Sequence, residues 1–228
     1  MVLPTDLAEA QQQAIQAIMA ARTAGYRRVQ VEILAPELKV DRLSWPLVHH
    51  LGQENSLQVF LPDAGAAALT QRDWQPLGIP SSVTLSALGN HAALSRAEWI
   101  LFACPNVMSI EVVEALCEQA SPNQTIIMLN PQLQDAATLG IGLAARRLRQ
   151  RFIVTFEPVY FLQSLANAVL FRHYPTPWQL WHLRDSDTYD LTAEFDRRPT
   201  SEELQATLST PRSLWEGLQS FVRRFQQM

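Results

Sequence analysis

The sequence predicts an α/β fold, a three-layer, Rossmann-like and mostly parallel sheet extended by C-terminal antiparallel strands. Two observations carry this. Up to Arg151, short β-branched or wholly apolar runs alternate with helical stretches, so each strand reaches the next through a crossover. After Arg151, strand-like runs follow one another across short proline-bearing or polar connections, which form hairpins. At 228 residues and 47% hydrophobic, the chain can bury one sizeable core, and a single domain over 1–228 is expected. Its parallel strand/helix part spans 1–150, its antiparallel strands 151–199 and its C-terminal helices 200–228.

Each element has a local cause. Thr5-Asp6 with Glu9 caps a first helix in which Leu7, Ala14, Ile18 and Ala21 recur at helical spacing until Gly25 stops it. Val29 to Leu34 is a β-branched strand that Pro36 ends. Trp45 to Leu51 reads as helix and Leu57 to Leu61 as strand, closing on Pro62-Asp63-Ala64-Gly65 before the helix from Ala66 to Arg72. Val83 to Leu85 is a short strand, Trp99 to Ala103 an apolar one, Ile110 to Gln119 a helix and Ile126 to Leu129 a buried strand. Leu139 to Arg149 reads as helix. Phe152 to Phe156, Val169 to His173, Leu180 to Leu183 and Leu191 to Phe195 read as strands. Thr200 with Glu203 forms a capping box, and Thr210-Pro211 opens a last helix with Leu214, Leu218, Phe221 and Phe225 along one side.

Gly140 to Ala145 fits Gly-x-Gly-x-x-Gly/Ala, yet a dinucleotide fingerprint needs its first glycine directly after the strand. Here Asn130 to Leu139 intervene, so no dinucleotide site and no cofactor are expected. A net charge of −4 argues against a general grip on nucleic-acid phosphates. Cys104 and Cys117 have neither zinc nor disulfide-framework spacing, which suits a reducing compartment. The five histidines form no metal motif, so no metal is expected. Ser44, Ser109 and Ser164 lack a nucleophile elbow, and no catalytic residue is assigned. Met1 to Glu9 does not read as a signal peptide, and no run is long enough to span a membrane. A soluble, cytoplasmic protein is the expectation.

Ligands in open α/β sheets settle beyond the carboxyl ends of the parallel strands. Those ends carry Glu32 with Glu37, Asp63, Pro105 and Asn130, and Glu157 stands in an otherwise apolar run. These six are the candidate ligand-binding residues. Capping and strand termination use the same residue types, as Asp63 could for the helix from Ala66. The basic cluster Arg146, Arg147, Arg149 and Arg151 complements a helix C-terminus. Within it, Arg146 and Arg149 are candidate contacts to an acidic partner, and Arg147 is expected to pair with Glu157 or Tyr160.

Taken in order, Val31-Glu32-Ile33 with Pro36-Glu37-Leu38, Val59 to Ala67, Leu129-Asn130-Pro131, Gly140-Ile141-Gly142 with Ala145-Arg146, Phe152 to Tyr160 and Leu170 to Pro175 resemble one family. That family is DUF1995, of cyanobacteria and plastids. The resemblance runs from about Pro4 to beyond Leu204. It implies an oxygenic phototroph and a soluble α/β protein. Plastid members include a factor for photosystem II accumulation and the C-terminal part of a plastid adenylate kinase. This chain has no P-loop, so phosphoryl transfer does not carry over. In that setting, and with no catalytic constellation visible, the expectation is a non-enzymatic auxiliary that assists assembly or maintenance of photosystem II or another thylakoid complex, docking transiently on a photosynthetic membrane protein, with peripheral contact to the thylakoid membrane. The alternative is a small-molecule or phosphoester-binding enzyme that uses the strand-end cleft.

Overall fold

The computed structural model describes residues 2–34, 40–89, 91–132, 151–185 and 188–209. In chain order these form α1 (Leu7–Thr23), β1 (Arg28–Leu34), α2 (Val40–Glu54), β2 (Leu57–Leu61), α3 (Ala64–Trp74), β3 (Val83–Ala87), β4 (Trp99–Ala103), α4 (Ile110–Gln119), β5 (Thr125–Leu129), β6 (Glu157–Ser164), β7 (Ala168–His173), β8 (Trp178–Asp185), β9 (Thr188–Phe195) and α5 (Ser201–Ser209). The expected helices over 139–149 and from Thr210 onward lie outside the described residues.

The nine strands make one sheet, in the order β3-β2-β4-β5-β1-β6-β7-β8-β9. Pairing is parallel from β3 through β6 and antiparallel from β6 through β9. β2, β4 and β5 are buried at every position, as strands covered on both faces must be. α1, α2 and α3 cover one face, over a core that includes Ile18, Val31, Val59, Leu101 and Ile127. On the other face α4 packs on Phe60, Phe102, Ile126 and Met128. α5 presents Leu204 and Leu208 to Leu180, Ala193 and Phe195.

Two strand expectations are corrected. Phe152 to Phe156 is not a strand: Ile153–Thr155 form a single 3-10 turn, and β6 begins only at Glu157. Phe152 and Phe156 stand four apart, so a helical turn buries both rings against each other at 5.4 Å and leaves Val154 between them 71% exposed. The change to antiparallel pairing also comes one strand later than expected. β6 lies parallel to β1, with Glu32 opposite Phe161, because the connection from β5 is long enough for another crossover. A bulge between Gln30 and Val31 in that pairing breaks the alternation of β6. Consequently Val159 and Tyr160, consecutive in sequence, both enter the α1-side core.

The helix Trp45 to Leu51 extends in both directions to Val40–Glu54 with Pro46 inside it. Proline has no N–H for the carbonyl one turn back, which here belongs to Arg42. Gln11 of α1 fills the gap: its Nε2 donates to the Arg42 carbonyl at 2.7 Å and to that of Leu43 at 3.2 Å. The otherwise buried amide of Gln11 is thereby explained.

Candidate functional site

On the α4/α5 face a cleft of about 750 Å³ opens over the junction of the parallel and antiparallel halves. Its floor is Gln30 and Glu32 of β1, Pro158 of β6, Arg172 of β7 and Trp178 of β8. One wall is Ile153, Val154, Phe156 and Glu157, and the other is Asp196, Arg197 and Arg198, which join β9 to α5. Register explains the floor. Gln30 and Glu32 are two apart and share a face, Glu32 stands opposite Phe161, and Phe161 opposite Arg172.

Glu32, Glu157, Arg172, Arg197 and Arg198 are all engaged in ion pairs within the protein. Arg172 Nη2 meets Glu157 Oε1 at 2.6 Å, with side chains 10% and 24% exposed. Arg198 Nη1 reaches Glu32 Oε1 at 3.1 Å, and Gln30 Nε2 donates to the same oxygen at 2.6 Å. The Arg198 guanidinium carbon lies 4.3 Å from the centre of the Phe161 ring and 5.7 Å from that of Trp178. Arg172 approaches Trp178 at 5.7 Å as well. Cation–π contacts of this kind contribute about 0.5–2 kcal/mol each, more where water is excluded. Arg197 grips Glu203 through both terminal nitrogens, at 3.0 and 2.6 Å. The Arg197 hydrogen bond, aided by the Thr200 backbone, pulls the Glu203 carboxyl down to about 2. Thr200 and Glu203 also complete the capping box of α5 reciprocally.

The sequence profile of a domain of unknown function, DUF1995, matches residues 4–206. The chain belongs to the DUF1995 family. No curated protein matches it. Every residue lining the cleft of this DUF1995 chain falls inside the matched span.

Of the candidate ligand-binding residues, Glu32 and Glu157 line the cleft. Asp63, Pro105 and Asn130 share the carboxyl edge of the parallel strands with Glu32 but do not line it. Asp63 caps α3, its Oδ1 accepting the Ala66 N–H at 2.8 Å. Asn130 spends its amide on the Ile33 backbone. Pro105 is buried after Cys104, whose φ of 49° turns the chain at the strand end. Burial pushes the Cys104 thiol up to about 12. Glu37, Arg146, Arg147 and Arg149 lie outside the described residues, and the carboxylate of Glu157 pairs with Arg172. Among the described residues no helix is long and apolar enough to cross a membrane, and no cluster of three or more His, Cys, Asp or Glu side chains could hold a metal ion.

Sequence reasoning missed Gln30, Arg172, Trp178 and Arg198 as site residues of this DUF1995 domain. Arg172 left a signal, a charge inside the apolar run Leu170-Phe171-Arg172. Arg198 left none, since Asp196-Arg197-Arg198 reads as a polar connection.

Proposed function

We propose that this protein is a non-enzymatic auxiliary of oxygenic photosynthesis, which assists assembly or maintenance of photosystem II or another thylakoid complex by binding a partner protein transiently through the cleft. The resemblance to cyanobacterial and plastid members supports the setting. The observation that carries the binding mode is the pairing of two cleft carboxylates with guanidiniums, buried Glu32 with Arg198 and half-buried Glu157 with Arg172, beside the Trp178 ring. Ile153, Val154, Phe156 and Trp178 set apolar surface beside these ion pairs, a mixture that recognition surfaces share. Val154, exposed on the wall, adds an apolar contact that a partner would cover.

Affinity capture from detergent-solubilised thylakoids tests this. Val154→Asp changes an exposed side chain, so stability should move by no more than about 0.5 kcal/mol. Wild type should retain a subunit of a photosynthetic complex and the variant should release it; equal recovery by both would end the reading. Arg146→Gln and Arg149→Gln belong in the same assay, as proposed contacts to an acidic part of the partner. Glu32, Glu37, Asp63, Pro105, Asn130 and Glu157 remain the proposed ligand-binding set, with Glu32 and Glu157 in the cleft itself. A small-molecule or phosphoester-binding enzyme is the second reading, favoured by a cleft volume within the range of small-ligand pockets. A phosphate ester retained by the purified protein would support it.

A further inference from the structure

We infer that Arg198 occupies a cation cage whose intended ligand is an incoming guanidinium, the arginine side chain of a partner segment. The inference rests on the protein-binding reading above and names the group that the cleft recognises.

The cage has three walls: the Glu32 carboxylate at 3.1 Å from Arg198, the Phe161 ring at 4.3 Å and the Trp178 ring at 5.7 Å. All three are fixed and inside the protein. The Glu32 side chain is 7% exposed and is held by Gln30, while Phe161 and Trp178 pack against each other with ring centres 5.1 Å apart. The occupant is different. Arg198 reaches in from the connection between β9 and α5, and its side chain is 44% exposed. The walls are therefore permanent and the guanidinium is removable.

Charge decides what can replace it. Withdrawing Arg198 leaves a buried carboxylate facing two aromatic faces, each negative at its centre, so the substitute must be positive. An anion would meet Glu32 directly. A planar, weakly hydrated guanidinium satisfies the carboxylate and stacks on the rings together, which a compact ammonium does less well. Arg172 does not compete for this role, because its Nη2 is committed to Glu157 and its Nε donates to the Pro158 carbonyl. The cleft continues from the cage toward Pro131, Val154 and Phe156, which leaves room for the residues flanking the incoming arginine. Arg198 thus acts as an internal competitor, and the apparent affinity is lowered by the fraction of time it fills the cage.

The test is titration of N-acetyl-arginine amide into the wild-type protein, Arg198→Ala and the double variant Arg198→Ala/Glu32→Gln, read by calorimetry. The single variant should bind about tenfold more tightly than wild type, the competitor being gone, and the double variant should lose the gain. Equal binding by wild type and Arg198→Ala overturns the inference, as does a double variant that binds as well as the single one. Inorganic phosphate or N-acetyl-aspartate amide binding to wild type and lost in Arg198→Ala would also overturn it, making Arg198 an anion receptor. Should the alanine variant not fold, the Nε–H resonance of Arg198 in the wild type decides: displacement on saturation with the arginine probe supports the cage, and an unmoved resonance refutes it. Lost thylakoid capture with intact probe binding would remove only the docking setting, whereas intact capture without probe binding would remove only the cage.

Discussion

The carboxamide of Asn130 bridges the backbone of Ile33 at both its ends: Oδ1 accepts the Ile33 N–H at 2.7 Å, and Nδ2 donates to the Ile33 carbonyl at 2.7 Å. The side chain imitates a strand neighbour just past the last paired residues, Val31 and Leu129. It does so from a backbone φ of 43°, a conformation that asparagine tolerates better than most residues.

Asn130→Ala should therefore destabilise the protein by about 2–4 kcal/mol, two lost hydrogen bonds plus the left-handed strain of a Cβ residue. Asn130→Gly loses the same bonds but not the backbone tolerance, and should be less damaging by about 1 kcal/mol. Urea unfolding of both variants checks this. A glycine variant no more stable than the alanine one would refute the role given to φ.

Gln11 and Pro46 should couple. Gln11→Ala strands the Arg42 carbonyl and should cost about 1–2 kcal/mol. In Gln11→Ala/Pro46→Ala the helix regains an N–H one turn along, and part of that loss should return. A double-mutant cycle by thermal or urea unfolding measures the coupling; strictly additive effects would show that the two residues are independent.

His173 gives a pH dependence. It is 5% exposed, and neither ring nitrogen has a hydrogen-bond partner among the described residues. Burial beside Tyr160 pushes its pKa below the ordinary 6.5. The unfolded chain therefore takes up the proton first as pH falls. The His173 contribution is complete above about 6.5 and declines below it, toward the lower folded value. Unfolding midpoints between pH 7.5 and 5.5 should fall less steeply in His173→Phe than in wild type. Parallel slopes would dispose of this assignment.

Both cysteines should be inert in the folded protein. Burial pushes the thiols of Cys104 and Cys117 up to about 12, so little thiolate forms at ordinary pH. Iodoacetamide at pH 8 should label neither within the time that labels both in urea. Rapid modification of the native protein at either position would contradict their environment.

Much of the sheet was legible in the sequence. Wholly apolar runs such as Trp99 to Ala103 announce strands covered on both faces, and Ile110 to Gln119 carries its helical bounds openly. Phe152 to Phe156 misled, because aromatic and β-branched content favours a strand while the spacing of its two phenylalanines equally suits a turn. The parallel pairing of β6 with β1 has no local signature at all. In the cleft, Glu32 stood out by its place at a parallel strand's carboxyl end and Glu157 as a charge in an apolar run. Arg198 did not, since the partner that gives it meaning is 166 residues away.

The central position of β1 bears on how the chain folds. β1 comes first in sequence among the strands of this sheet, yet both its neighbours come late: Arg28 pairs with Ile126, and Val29 with Glu157. During synthesis its two edges remain open until Ile126 and Glu157 have emerged, and closing the middle of the sheet requires two large loops to be brought together. A nascent chain that ends before Ile126 holds the innermost strand with no partner on either side. Such fragments should aggregate or recruit chaperones, and productive folding should be late and cooperative rather than proceeding strand by strand from the N-terminus.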